Sequence, residues 1–323
     1  MNRIYMDNAA TTRVSKPVLE AMLPYLTEAY GNPSSIHAFG REARMALDHA
    51  REQVAAALGA EPQEIYFTGC GTESDNWAIR GAAYAKKPKG KHLVTSAIEH
   101  HAVLHAMAQL EVEGFEITYL PVDGDGLVNP EDLEKAMRPD TTLVSVMMAN
   151  NEIGTIQPIE ALAKIAKAHG ALFHTDAVQA IGSVPIDVKA LGVDMLSLSG
   201  HKFHAPKGVG ALYLKKGVRI NPLMQGGAQE RKQRPGTENI ASIVGMGVAI
   251  ERATTTIEAR NAYLTPMRDR LIEGILTSIP EVRLNGHATK RLPNNANVSV
   301  RYIEGEALLL SLDIAGIAAS SGS

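Results

Sequence analysis

Five short apolar runs each deliver residues that can do chemistry. Glu64–Gly69 is followed by Cys70-Gly71-Thr72-Glu73-Ser74, and His92–Ala97 by Glu99-His100-His101. Thr142–Asn150 leads to Asn151-Glu152, and Ala171–Thr175 ends in Asp176, with Gln179 three residues on. Met195–Ser199 leads to Gly200-His201-Lys202. Loops are polar anyway, so the number of such sites is weak support. Their variety carries more: a glycine turn at a helix start, an imidazole, a carboxamide, a carboxylate and an amine.

That set suits pyridoxal phosphate (PLP), which needs an amine for its aldehyde, a carboxylate facing its pyridinium nitrogen and donors for its phosphate. Lys202 supplies the amine and, once freed, a general base and acid. Asp176 keeps the ring nitrogen protonated. Gly71 and Thr72 at a helix start offer backbone N–H groups and a hydroxyl to the phosphate, and Ser199 and His201 complete the cradle. His100 stacks on the ring face and relays protons. Gln179, read as one helical turn after Asp176, reaches the phenolic oxygen.

The elements that must position these groups alternate along the chain. Seven runs read as strands: Glu64–Gly69, His92–Ala97, Glu116–Val122, Thr142–Asn150, Ala171–Asp176, Met195–Gly200 and Val209–Leu214. Leu143–Ala149 is apolar throughout, as in a strand covered on both faces of a mainly parallel sheet. Between them lie helical stripes. Ala43, Leu47, Ala50, Val54 and Leu58 share a face and stop at Gly59; Ile159, Leu162, Ala163, Ile165 and Ala166 form another before Gly170. Asn129 reads as an N-cap with Pro130 at the first helical position. Strands separated by helices give an α/β, doubly wound class, here a seven-stranded sheet in a large domain. After about residue 250 a long helix (roughly 248–279), strands at Val282–Leu284 and Ala296–Val300, a helix near Gly305–Leu312 and a last apolar stretch, Ile314–Ala319, read as a smaller α+β domain. The expected division is 1–15 as an N-terminal segment packing with the small domain, 16–250 as the large cofactor domain, and 251–323 as the small domain, C-terminally incomplete.

Composition narrows the function classes. The 323 residues are 45% hydrophobic and 21% charged, ordinary for a soluble globular protein. A net charge of −3 gives no case for nucleic acid or a membrane surface. No apolar run approaches bilayer length, and the polar N-terminus has no signal-type apolar stretch. The single cysteine, Cys70, rules out an internal disulfide and a multi-thiolate zinc site, and fits a cytoplasmic protein. No metal is expected. Glu99-His100-His101 lacks a zinc ligand set, and Asp123-Gly124-Asp125-Gly126 reads as a turn instead of a calcium loop.

Six ordered motifs resemble the cysteine desulfurases of the NifS/IscS type. They are Asp7-Asn8-Ala9-Ala10-Thr11-Thr12, Gly31-Asn32-Pro33-Ser34-Ser35-Ile36-His37, Thr72-Glu73-Ser74-Asp75-Asn76, Asn150-Asn151-Glu152-Ile153-Gly154, His174-Thr175-Asp176-Ala177-Val178-Gln179 and Ser199-Gly200-His201-Lys202. The resemblance runs from Tyr5 to Ser323. It implies the aspartate aminotransferase-like fold of PLP-dependent transferases. It also implies conversion of L-cysteine to L-alanine, with sulfur passed as a persulfide to an iron–sulfur scaffold protein. Asn151 is similar to the family's asparagine beside the cofactor. Arg234-Pro235-Gly236-Thr237-Glu238-Asn239 looks like the loop whose threonine, here Thr237, reaches the phosphate of the partner subunit; a homodimer is therefore implied.

The family's sulfur-accepting cysteine follows a Ser-Ser-Gly-Ser-like stretch, and Ser320-Ser321-Gly322-Ser323 closes this sequence. Cys70 sits in the phosphate turn and is expected to be a small buried residue. The 323 residues are therefore expected to bind the cofactor without desulfurase turnover. Alternative readings are a selenocysteine lyase or another aminotransferase-fold enzyme, and a non-catalytic partner protein of the same fold.

Overall fold

A computed structural model describes residues 3–322; Met1, Asn2 and Ser323, which end the terminal segments delimited above, lie outside the described residues. The strands are β1 (Ile4–Tyr5), β2 (Ile65–Thr68), β3 (His92–Ser96), β4 (Glu116–Leu120), β5 (Thr141–Ser145), β6 (Leu172–Asp176), β7 (Met195–Ser199), β8 (Gly210–Leu214), β9 (Val282–Leu284), β10 (Val298–Val300) and β11 (Ile317–Ala318). Seven form one sheet in the order β2-β8-β7-β6-β5-β3-β4. Only β8 runs against its neighbours, β2 and β7. All seven sequence-predicted strands are present, most of them trimmed by one to a few residues.

Because β8 reverses twice, β2 runs in the same direction as β3, β5, β6 and β7. The carboxyl ends of these five strands therefore share one rim, where open α/β sheets bind ligands. Helices cover both faces. Ala43, Leu47, Ala50, Val54 and Leu58 of the helix Ala38–Leu58 are at most 1% exposed. They pack on the helix Ile240–Thr255, whose Gly247 has room for no more than hydrogen: a Cβ there would sit 3.0 Å from the Ala50 backbone. Gly59 ends the first helix at φ 69°, a left-handed position that a side chain would strain.

Two expectations are corrected. The long helix predicted over 248–279 is two helices, Ile240–Thr255 and Ile257–Ser278, bent by 69° at the break. Thr254, Thr255 and Thr256 explain it. Their hydroxyls donate to the carbonyls of Ile250, Glu251 and Arg252 at 2.8–2.9 Å, competing with the backbone ladder. Second, no helix follows Asp176. Residues 178–183 are turns, and the Val178 N–H donates to Asp176 Oδ1 at 2.8 Å.

Beyond the bend, β9 and β10 form an antiparallel pair, and β11 pairs in parallel with β1, Ile4 opposite Ile317. No single helix among the described residues is long and apolar enough to cross a membrane.

Candidate active site

Lys202 ends a single 3-10 turn directly after β7 and is half-buried. Its amine donates to the carbonyls of Ala9, in very close contact, and of Ala10 at 3.0 Å. Burial lowers its pKa, while the negative charges of Asp176 and Asp7 pull the other way. Asp176, the last residue of β6, is 5% exposed. Burial raises its carboxyl to about 6, against the Val178 hydrogen bond and the charge of Lys202. The amine and the carboxylate each shift the other's pKa toward the charged form.

The remaining predicted residues divide by position. Gln179 donates to the Ala9 carbonyl at 2.9 Å, so it shares an acceptor with Lys202. His100 caps the helix His101–Val112, its Nδ1 accepting from the Ala102 N–H at 3.1 Å. Its ring lies at the exposed rim, yet the protein behind it and the Lys202 charge both lower its pKa. His201 Nδ1 lies 3.1 Å from Thr11 Oγ1, and burial lowers its pKa to about 4, so it is neutral at pH 7. Asn151 is half-buried in the turn after Asn150, whose Oδ1 accepts from Glu152 and Ile153 N–H at 2.9 Å. Thr237 is exposed on a separate loop.

The phosphate turn fits an anion. Cys70, half-buried, leads into the helix Gly71–Lys86 without capping it by its side chain. Gly71 is needed for closeness: a Cβ there would meet Val178 Cγ2 at 2.7 Å and Ser199 Cβ at 3.3 Å. Ser199 Oγ is buried beside it with no protein partner, a cost that a bound acceptor removes. Thr72 is exposed in the same first turn. A glycine cradle, an orphaned hydroxyl, a buried carboxylate and a half-buried amine are the donor and acceptor set that PLP requires.

A polar layer beneath the site escaped the sequence reading. His174 stands between Ser145 Oγ at 2.8 Å and Ser197 Oγ at 2.9 Å, with Asp75 Oδ1 3.7 Å away. Burial drives His174 down to about 3. Asp75 is raised by burial and then by the charge of Asp176. Glu99 Oε1 accepts from Ser96 Oγ at 2.5 Å and the Met147 N–H at 2.9 Å, and burial raises this carboxyl to about 8. Polar residues inside otherwise apolar strands were the available signal for Ser145, His174 and Ser197; Asp75 lies in a helix and Glu99 in a loop. Asn150 Nδ2 adds a bond to the Ile98 carbonyl at 2.9 Å. The N-terminal carbonyls of Ala9 and Ala10 had no signal, because any residue supplies a carbonyl.

Comparison with known proteins decides the family. The class-V aminotransferase family model matches residues 4–323. The chain belongs to the class-V aminotransferases. Within that family it is 62% identical over 320 residues to cysteine desulfurase IscS of Methanosarcina thermophila, covering 99% of this chain and 79% of that protein. Against cysteine desulfurase IscS of Dictyoglomus turgidum the identity is 56% over 320 residues, covering 99% of this chain and 81% of that one. A solved NifS-like protein superposes with a TM-score of 0.96 at 44% identity, covering 99% and 88% of the two chains. A structure of SspA in complex with cysteine gives 0.87 at 38%, covering 99% and 89%. This class-V enzyme is PLP-dependent, its activity is that of a cysteine desulfurase, and its substrate is L-cysteine.

Proposed function

We propose that Lys202 holds the cofactor, Asp176 faces its ring nitrogen, and Gly71, Thr72, Ser199 and His201 seat its phosphate. His100 lies over the ring and moves protons at its rim, Asn151 borders the ring, and Gln179 reaches the phenolic oxygen. The observation that carries this reading is the buried, unpartnered Ser199 hydroxyl beside Gly71, at the strand-end rim where Lys202 and Gln179 share the Ala9 carbonyl.

When bound, PLP supplies an electron sink for the substrate α-carbon. The chain supplies the rest. Burial makes the Lys202 amine easier to deprotonate, which favours its use as a base. The Ala9 and Ala10 carbonyls hold that amine until it is needed. Asp176 keeps its charge when a cationic nitrogen lies against it, which offsets the burial that otherwise raises it. Burial and then the Lys202 charge lower the pKa of His100, which favours its neutral form and leaves the ring free to accept a proton.

The same reading extends to assembly. The chain acts as a cytoplasmic homodimer, with Thr237 completing the partner's phosphate site and an iron–sulfur scaffold accepting the sulfur. It is divided near residue 250 into a large and a small domain, and the N-terminal segment joins the small one. The parallel pairing of β1 with β11 supports that last point. Absorbance tests the site: a violet band of the bound cofactor is expected in the wild-type chain and absent in Lys202→Ala. A band of equal intensity in the variant overturns the assignment.

A further inference from the structure

Glu230, Arg231 and Lys232 have φ of 42°, 57° and 68°, three consecutive left-handed residues with no glycine among them. Such runs are unfavourable for L-residues and persist only where surrounding contacts impose them. Here the contacts are buried. Arg51 donates to Glu230 from two nitrogens at 2.6 and 2.8 Å, and the Phe67 N–H donates to the same carboxylate at 2.9 Å. Arg231 donates to the Ile65 carbonyl at 2.6 Å and lies 4.0 Å over the Tyr66 ring. The turn is therefore fastened to β2, the strand that leads into the phosphate turn.

The consequence is the placement of Arg234. Its Nε and Nη2 donate to Glu73 Oε1 at 2.7 Å and Oε2 at 3.1 Å, a two-point fork on the first turn of the helix Gly71–Lys86. Glu73 Oε2 also accepts from the Gly69 N–H at 2.7 Å. A Cβ on Gly69 would lie 3.8 Å from Arg234 Nη2, so the fork abuts the segment that bends into Gly71. A carboxylate in a first helical turn ordinarily stabilises it. Beside a doubly charged phosphate the same carboxylate repels, and that repulsion is largest where water is partly excluded. Both side chains of the fork are less than a quarter exposed.

We propose that Arg234 is a positioning residue for the cofactor phosphate, acting through Glu73: it cancels that carboxylate's charge and keeps it folded back onto the Gly69 N–H. The proposal rests on the reading that the phosphate seats at Gly71, Thr72 and Ser199. Glu73 then organises the turn without opposing the anion.

Binding of two probes to the full 323-residue chain tests this: pyridoxal 5′-phosphate, and pyridoxal, which lacks the phosphate. Arg234→Met is expected to raise the Kd for the phosphate form about tenfold, with pyridoxal changed less than about twofold. Adding Glu73→Gln removes the uncompensated charge and is expected to restore the ratio to within about threefold of wild type. Arg234→Lys, which keeps the charge and folds more readily, is expected to retain most of the preference. Equal loss for both probes, unrelieved by Glu73→Gln, overturns the proposal in favour of a merely structural fork. Ser199→Ala separates the proposal from its foundation. If Ser199→Ala lowers the preference and Arg234→Met does not, this inference fails while the phosphate seat stands. If neither lowers it, the seat itself is wrong.

Discussion

At Lys202 and Asp176, burial and charge pull in opposite directions. Burial alone favours a neutral amine and a neutral acid; their mutual attraction favours both charges. A cationic ring nitrogen lying against Asp176, as proposed, would settle the balance there in favour of the carboxylate. Asp176→Asn is therefore expected to weaken cofactor binding by at least about tenfold, read from a titration of absorbance. Glu99 gives a separate test of the buried polar layer. Its folded pKa, about 8, lies above its ordinary value, so the folded protein holds a proton that the unfolded chain releases earlier. Its contribution is present below the ordinary carboxylate range and is lost as pH rises toward and through about 8. Glu99→Gln is expected to reduce the fall in melting temperature between about pH 6 and about pH 9. An undiminished fall contradicts this. At this scale the sequence exposed Lys202, Asp176 and His100 because each follows an apolar strand. It hid Asp75 and Glu99, because His174 beside Asp75 and the Met147 N–H on Glu99 come from far along the chain.

The strands were legible because their cores are apolar runs of strand length bounded by glycine and polar turns. Helix ends were legible where a cap residue marks them, as at Asn129 and Gly59. The bend at Thr256 was not, because hydroxyl back-bonding to the preceding turn leaves the hydrophobic period unbroken. The left-handed turn at Glu230 was equally hidden, since none of its three residues is glycine. Arg51→Met tests what holds it. Removing one partner of this buried pair leaves Glu230 without its cation, so a loss of about 3–5 kcal/mol in unfolding free energy is expected, measured by denaturant titration. A loss below about 1 kcal/mol shows that the pair is not what fastens the turn to β2.

For the whole molecule, the sheet order places five carboxyl strand ends along one rim, and that is why residues from 71 to 202 meet. Thr237 is the exception: it lies on an exposed loop that follows none of these five strands, and the proposed homodimer gives it a role. Mixing subunits tests this. A heterodimer of Lys202→Ala and Thr237→Ala chains has one intact site if Thr237 serves its partner, and none if it serves its own chain. About half of wild-type cofactor occupancy is expected in isolated heterodimers; occupancy no higher than in the Thr237→Ala parent contradicts the shared site.

The proposed site depends on one covalent attachment point. Reducing the cofactor-loaded protein with borohydride and mapping its peptides by mass reads that point directly. A pyridoxyl label confined to Lys202 is the predicted result. A label on a different lysine, with Lys202 unmodified, contradicts the account.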